Sequence, residues 1–401
     1  MSKYIRAIIL IFICTTIAWS VLGTTIFSRT HSFDSTLRNQ VASIWGAPHL
    51  QRPPSAHTTK TVLRTVQHYV TRNLPLEGSQ VDVNLDLEHR QKGLLWYSTY
   101  KVGFNGAYTF ENTTDEEEVI FTLQFPTAQA IYDDLVFAVD GTPIKLANHK
   151  SSVRGKARIA PGSTAILTVK YRSQGLESWR YHFGDDVSQV KNFQLSMRTN
   201  FKEIDFAENT LAASEKKPIK DGWELTWSYK NLLSGYQIGM ILPQKLQPGP
   251  LAGQISYFAP ISLFFFFFLM FIITTLRNID LHPMNYFFLA CSFFAFHLLL
   301  AYLVDHLSIH WAFAICSLMS IGLVISYLRL VVGIRFAAVE AGIAQFVYLV
   351  LFSYAFFFKG LTGLAITIGS ILTLFVVMQM TGRIRWSEKF ASRAPVQVPG
   401  E

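Results

Sequence analysis

Two hydrophobic patterns divide the chain into a membrane part and a more polar part. Long apolar runs occur once near the N-terminus and five times in the C-terminal part, at Ile5–Gly23, Phe258–Leu276, Met284–Val304, Ile309–Leu328, Phe336–Phe358 and Gly360–Met380. About 20 consecutive apolar residues cross the hydrocarbon core of a bilayer. The pattern therefore predicts an α-helical polytopic membrane protein with six transmembrane helices, one N-terminal and five C-terminal.

The segment between the first and second runs has the alternation that is typical of β-strands. Apolar and polar residues alternate with period two at Val81–Glu88, Val119–Phe125, Ala165–Tyr171 and Trp223–Trp227, as in strands buried on one face. Asp140-Gly141 is a typical hairpin turn. Many short strands with turns between them predict a large all-β, sandwich-like domain, and its length leaves open whether it is one sandwich or two.

These patterns set the predicted domain boundaries. We expect a signal-anchor transmembrane helix at residues 1–23, a juxtamembrane stalk at 24–59, the β domain with its linker at 60–255, a five-helix transmembrane domain at 256–382 and a tail at 383–401. Pro243, Pro248 and Pro250 would stiffen the linker. A cleaved signal peptide is the alternative for the first run, but its apolar core would be about 7–15 residues long. The longer run favours a retained anchor.

The basic residues are distributed unequally around the apolar runs. The short loops on one side of the predicted membrane contain a single lysine or arginine, Lys359. The other side collects Lys3, Arg6, Arg277, Arg329, Arg335, Arg383, Arg385, Lys389 and Arg393. By the positive-inside rule, we expect a multi-pass inner-membrane protein with both termini cytoplasmic and residues 24–255 periplasmic.

The net charge points to the membrane rather than to nucleic acid. The formal net charge is +8, and the excess cations lie near the ends of apolar runs instead of forming one basic patch. The predicted partners are the lipid bilayer and an unidentified periplasmic or membrane protein, with no nucleic acid among them.

Motifs for catalysis are missing from the sequence. Cys14, Cys291 and Cys316 all lie in apolar runs, which excludes a disulfide framework and a cysteine zinc site. The sequence contains no HExxH, phosphate-loop, GxSxG or dinucleotide-binding motif. The acidic run Asp115–Glu118 indicates a solvated loop rather than a calcium site, and Phe264–Phe268 indicates lipid-facing or interhelical bulk. We expect no enzymatic activity, no cofactor and no metal.

Polar residues inside the apolar runs are the remaining candidates for function, because they are costly in a bilayer. His297 falls within the third run, where a neutral histidine can bond to a neighbouring helix. We favour such a packing role over a functional one. Glu340 lies near the start of the fifth run, and we expect it to pair with Arg335 at the interface.

The loop between the third and fourth runs holds Asp305, His306 and His310. These residues could ligate a metal. However, histidines at positions i and i+4 share a face only when one helix carries both, and a helix-to-helix turn must fall between residues 304 and 310. We therefore expect Asp305 and His306 to cap the third helix and to contact the β domain above it, in docking rather than catalysis.

The third run resembles a known family signature. The segment LHPMNYFFLACSFFAFHLLLAYLVDH is similar to the CreD family of bacterial inner-membrane proteins, in which a Leu-His-Pro-Met/Val-x-Tyr segment opens a spanning helix and an acid–His pair closes it. The matching positions are Leu281, His282, Pro283, Met284, Tyr286, Asp305 and His306. Arg383 and Trp386 resemble the family's Arg-x-x-Trp exit.

The polar part resembles the family more loosely. Asn73-Leu74-Pro75 and the Glu88, Arg90 and Gly93 spacing are similar to family stretches that lead into a strand. The chain departs from the pattern in three places: its periplasmic domain is shorter, His297 stands where a tyrosine is expected, and Arg385 replaces an acid.

The resemblance implies a role in the cell envelope. CreD-like proteins are associated with envelope stress and with altered sensitivity to colicins and β-lactams. We therefore expect a non-enzymatic protein that supports envelope integrity, with a β domain that binds a partner or an envelope component. The alternative is a transporter or lipid-handling protein with a path through helices two to six, which would require polar groups to converge at the middle of the membrane.

Overall fold

The chain folds into two compact units in the computed structural model, which describes residues 2–63, 67–92, 95–184, 187–358 and 360–382. The membrane unit contains the chain up to Phe33 and from Leu246 onward, and the β unit contains Asp34–Lys245. Gly93, Lys359 and the predicted tail with Arg383, Arg385 and Trp386 lie outside the described residues.

Six helices are long and apolar enough to cross a membrane in the part of the chain that the structure describes. They are α1 (Ser2–Trp45), α2 (Pro248–Leu276), α3 (Pro283–Leu303), α4 (Ile309–Val331), α5 (Phe336–Phe357) and α6 (Thr362–Thr381). Many large apolar side chains on these helices are exposed, such as Leu318 at 74% and Leu330 at 79%, which suits contact with lipid. The predicted arrangement of one N-terminal and five C-terminal helices is confirmed.

The prediction of a stalk at residues 24–59 is wrong. Helix α1 runs without interruption to Trp45, because residues 24–45 contain neither proline nor glycine. It ends before Gly46, whose φ of +120° is accessible to glycine. Strand β1 already begins at His49, so the β domain starts before the predicted residue 60.

The predicted proline linker is also shorter than expected. Helix α2 begins at Pro248, and Pro250 lies in its first turn. Proline is tolerated there because the first N–H groups of a helix have no intrahelical acceptor. Of the three prolines, only Pro243 lies ahead of α2, within the last residues of the β unit.

Helix α5 is irregular along its length. It contains a π-helical turn at Phe336–Ala341, an α-helical turn at Gly342–Gln345, a second π-helical turn at Phe346–Leu351, and then the short α and 3₁₀ segments Phe352–Tyr354 and Ala355–Phe357. π-Helical turns are rare and occur frequently at functional sites.

The β unit contains sixteen strands among the described residues. They are β1 (His49–Gln51), β2 (Ser55–Leu63), β3 (Gln67–Asn73), β4 (Leu76–Lys92), β5 (Leu95–Glu111), β6 (Glu118–Gln124), β7 (Tyr132–Val139), β8 (Thr142–Pro143), β9 (Leu146–His149), β10 (Ser152–Arg158), β11 (Thr164–Leu176), β12 (Ser178–Tyr181), β13 (Ser188–Thr199), β14 (Glu215–Pro218), β15 (Trp223–Ser234) and β16 (Ile238–Ile241).

The strands form three sheets around one hydrophobic core. The largest sheet has the order β14-β15-β13-β4-β5-β11-β7-β8, the second β3-β2-β6-β10-β9, and the third β1-β12-β16. Buried residues of all three, such as Leu167, Phe121 and Trp179, belong to the same core. The sandwich-like β domain is confirmed. Its three sheets share one large core, and a smaller cluster of Val41, Leu95, Tyr97 and Leu176 is separate from it.

The period-two pattern correctly identified the core face of the large sheet. Val81, Val83 and Leu85 of β4 are buried, whereas the polar residues between them are exposed. The hairpin turn at Asp140-Gly141 joins β7 to β8, with positive φ at both residues. In such a sheet one face is apolar and packs on the core, whereas the opposite face is polar and contacts solvent.

Candidate functional site

A buried polar cluster lies near the middle of the membrane unit. Gln345 of α5 donates from Nε2 to Ser320 Oγ of α4 at 2.7 Å, and Ser320 Oγ donates to the backbone oxygen of Ser292 in α3 at 2.7 Å. Because the hydroxyl proton of Ser320 is used on Ser292, the amide nitrogen of Gln345 must be the donor. The three residues link three helices by side-chain hydrogen bonds.

This cluster leaves one acceptor without a donor. Gln345 is 0% exposed, and its Oε1 finds no hydrogen-bond partner among the described residues. An unsatisfied polar atom within the hydrocarbon region is costly. Gln345 lies between the two π-helical turns of α5, so the unusual backbone and the unsatisfied side chain coincide.

Glu340 lies on the first π-helical turn of α5 and pairs with Arg277, at the end of α2. The expected partner Arg335 is therefore wrong. Arg335 precedes Glu340 by five residues on the same chain segment, whereas Arg277 reaches it from a neighbouring helix. The Glu340 side chain is 13% exposed, and its Oε2 finds no hydrogen-bond donor within the described residues.

His297 is buried in the packing between α1 and α3. Its Nδ1 lies 2.8 Å from the backbone oxygen of Phe293, and its ring contacts Trp19 of α1 with centroids 5.4 Å apart. An N–H on Nδ1 is required to donate to that oxygen. His297 is therefore a buried packing residue whose ring N–H donates to the backbone of its own helix.

Asp305 binds α1 rather than capping α3 with its side chain. Both carboxylate oxygens lie 3.2 Å from Nη2 of Arg29, which also donates to the backbone oxygen of Ala301. Helix α3 ends at Leu303, and the backbone N–H of Asp305 bonds Tyr302. Arg29 could not be identified from the sequence, because it lies in the stretch interpreted as a stalk.

The two histidines near Asp305 belong to different elements. His306 donates its backbone N–H to Leu303, whereas His310 lies in the first turn of α4 with its ring 5.4 Å from that of Phe357. Within the described ranges, no group of three His, Cys, Asp or Glu residues could hold a metal ion.

The residues of the family signature open helix α3. Nδ1 of His282 accepts the backbone N–H of Met284 at 3.2 Å, and Pro283 occupies the first helical position, as its fixed φ favours. Tyr286 is 2% exposed and its ring packs edge-on against Phe267 of α2. These residues fix where α3 begins and how it packs on α2.

The β unit carries a second candidate site on the polar face of its large sheet. Two adjoining grooves of about 570 and 580 Å³ cross strands β13, β4, β5, β11 and β7. Their polar lining residues are Asp82, Asn84, Asp86, Lys101, Asn105, Asp133, Asp134, Lys170, Arg172, Ser173, Gln174, Ser196 and Arg198. The alternation of β4 predicted that Asp82, Asn84 and Asp86 face solvent, but it could not predict which residues of the other strands lie beside them.

Sheet register explains the arrangement of charges in the grooves. Asp82 pairs with Asn105, and Asn105 pairs with Lys170. Two strand spacings place the carboxylate and the ammonium stems about 10 Å apart. In the next row Gly103 separates Asn84 from Arg172, and the missing side chain opens the floor of the groove.

A third polar cluster is buried inside the β unit. His49 Nδ1 lies 3.0 Å from Tyr100 Oη, its Nε2 lies 3.2 Å from Ser173 Oγ, and Tyr171 Oη donates to Gln51 Oε1 at 2.5 Å. Burial lowers the pKa of the His49 imidazole to about 4, because desolvation disfavours the charged form. The cluster holds β1 in the domain with its hydrogen bonds satisfied.

Comparison with known proteins supports the membrane signature. Residues 253–387 match the family described as inner membrane protein CreD, which confirms the resemblance seen in α3. No curated protein sequence matches the chain.

Solved structures resemble the chain only distantly. A candidate nutrient binding protein from Legionella pneumophila has 11% identity and a TM-score of 0.37, with 55% of this chain and 76% of that chain covered. The M1 zinc metallopeptidase from Deinococcus radiodurans has 9% identity and a TM-score of 0.31, with 43% of each chain covered. The chain thus spans less than half of the metallopeptidase, and neither likeness carries an argument about fold or activity.

Proposed function

We propose that the protein is a non-enzymatic component of the cell envelope, because residues 253–387 match the family described as inner membrane protein CreD. Its β domain faces the periplasm and binds an envelope component, while the helices anchor it in the membrane. In keeping with the family, the protein supports envelope integrity under stress.

The polar grooves on the large sheet carry this proposal. They present carboxylates, amides and cations over five neighbouring strands, with a spacing of about 10 Å between Asp82 and Lys170. Amides and hydroxyls of a wall polymer can bond to such a surface, and both amines and carboxylates of its peptides find opposite charges there. A ligand that spans several rows would be bound by many weak contacts.

The cation distribution supports the proposed orientation. Arg277 follows α2, Arg329 lies in the last turn of α4, and Arg335 directly precedes α5. These helix ends fall on the same side in an alternating bundle. The positive-inside rule makes that side cytoplasmic. Reporter fusions after residue 250 should then read periplasmic, and fusions after residue 332 cytoplasmic. A cytoplasmic signal at residue 250 would refute the orientation.

Co-sedimentation with insoluble peptidoglycan sacculi tests the binding proposal. The detergent-solubilised full chain should sediment with sacculi, and the double variant Lys170→Ala/Arg172→Ala should lose at least half of that binding. The matched control is Arg154→Ala/Lys156→Ala, which removes the same two charges at the same spacing from β10 of the other sheet. Equal binding by both variants, whether high or low, would contradict a specific groove.

The same variants connect binding to physiology. In a strain that depends on this protein, loss of the groove cations should raise β-lactam sensitivity, whereas the β10 control should behave as the unaltered protein. If both strains grow comparably under β-lactam treatment, binding in the groove is not required for envelope integrity.

A transporter or lipid-handling role is the second candidate. It is favoured by Gln345, Ser320 and Ser292, which meet about halfway along their helices, and by the free Oε1 of Gln345. Polar groups at this depth usually face an interior path. If this candidate is right, Gln345→Leu should abolish the envelope phenotype while leaving sacculus binding unchanged; normal resistance in that variant argues against a path.

A further inference from the structure

Helices α1 and α2 approach each other closely along one half of their contact. Two glycines allow this approach. A methyl group on Gly249 would lie 2.8 Å from Thr30 Oγ1, and one on Gly253 would lie 3.3 Å from Ile26, whereas one on Gly23 would only reach ordinary contact with Tyr257, at 3.6 Å. Small residues at such contacts let helix backbones pack directly in membranes.

Along the other half, bulky side chains hold the two helices apart. The N-terminal part of α1 and the C-terminal half of α2 line an apolar groove of about 390 Å³, formed by Ile5, Ile8, Ile9, Phe12, Phe264, Phe267, Phe268 and Phe271. The rings of Phe12 and Phe264, with centroids 6.3 Å apart, stand at the end nearer the glycine contacts. Of the phenylalanine run at residues 264–268, Phe264, Phe267 and Phe268 therefore form one wall of the groove.

The surroundings decide what can fill this groove. Its lining is made of aliphatic and aromatic side chains, and water has no hydrogen-bond partners there. An empty groove would forfeit the dispersion contacts of its walls. In a bilayer the neighbouring material is hydrocarbon, so an acyl chain is the occupant of matching chemistry.

Two cations lie close to the groove-lining residues in the sequence. Arg6 follows Ile5 directly, and Arg277 follows the last residue of α2. The Arg277 side chain is 53% exposed although it pairs with Glu340. Basic residues at a membrane boundary attract anionic headgroups. We propose that the groove between α1 and α2 binds one acyl chain of an anionic phospholipid, whose headgroup lies beside Arg6 and Arg277.

Native mass spectrometry of the delipidated full chain tests this site. After incubation with phosphatidylglycerol vesicles, we expect one lipid to remain on each wild-type chain. Ile8→Trp adds bulk within the groove and should reduce retention at least fivefold. Leu10→Trp is the matched control, since Leu10 is 61% exposed and does not line the groove. Equal retention by the two variants would overturn the site.

The headgroup is tested on the wild-type protein alone, which keeps the proposal open to refutation if Ile8→Trp does not fold. Phosphatidylcholine vesicles with the same acyl chains should leave at least fivefold less bound lipid than phosphatidylglycerol vesicles. The same retention of both lipids would overturn the assignment of an anionic ligand. Sacculus binding by the β domain is a separate measurement, so its failure would leave this result unaffected.

Discussion

The β unit and the membrane unit differ in how they treat the polar groups buried at their candidate sites. In the β unit, His49 has a partner at both ring nitrogens, and Gln51 accepts a hydrogen bond from Tyr171. In the membrane unit, Gln345 and Glu340 each keep an acceptor oxygen for which the described residues provide no donor. The satisfied cluster is built for rigidity, whereas the unsatisfied oxygens mark where α5 departs from regular packing.

Removing a central buried side chain of the β unit should cause the largest loss of stability. Trp227 is 0% exposed and donates from Nε1 to Leu211. Trp227→Ala should lower the free energy of unfolding of the β unit by about 4 kcal/mol, because it opens a cavity and removes a hydrogen bond. Urea titration followed by fluorescence measures the change. Leu233→Ala on the same strand is the control: Leu233 is 71% exposed, so its loss should cost less than about 0.5 kcal/mol.

Acid should weaken the β unit through His49. Its folded-state pKa of about 4 lies below the ordinary value of 6.5, so between these values the unfolded chain binds a proton that the folded chain does not. Stability contributed by neutral His49 is therefore present above pH 6.5 and is lost as the pH falls toward 4, by about 3 kcal/mol.

The urea midpoint at pH 7 and at pH 4.5 measures this loss. His49→Gln keeps two hydrogen-bonding groups but cannot titrate in this range, so its midpoint should fall less between the two pH values. If the variant and the wild type lose the same stability on acidification, other groups account for the acid response.

Two substitutions, each of which removes the hydrogen-bonding group of one side chain, compare the buried polar clusters of the β unit and the membrane unit directly. Tyr171→Phe leaves the buried Gln51 oxygen without its donor and should cost about 1.5 kcal/mol in the β unit. Gln345→Leu removes an oxygen that already lacks a donor, together with one interhelical hydrogen bond, and should change membrane-unit stability by less than about 1 kcal/mol. Thermal unfolding in detergent measures both, and a larger loss for Gln345→Leu would reverse the comparison.

Local patterns predicted the elements of the fold well. The alternation around Val81 and Val83 gave both the strand and its buried face, because side-chain period alone decides which face meets the core. The apolar runs predicted the bounds of α3 to α6 to within a few residues, whereas α1 continues beyond its apolar run to Trp45 and α2 starts earlier, at Pro248.

Contacts between distant segments could not be predicted in the same way. Glu340 was assigned to nearby Arg335, but bundle packing brings Arg277 to it. Arg29 finds Asp305 only because α1 continues as a helix beyond the apolar run. The groove charges depend on the register between β4, β5 and β11, which no single strand encodes.

The length of helix α1 has a consequence for the part of the helix that continues beyond its apolar run. At about 1.5 Å per residue its 44 residues are about 66 Å long, more than twice the hydrocarbon thickness of a bilayer. Its first part packs in the membrane unit through Trp19 and its last part in the β unit through Val41. About 20 residues of a helix suffice to cross the bilayer, so roughly half of α1 keeps its helical hydrogen bonds outside the hydrocarbon.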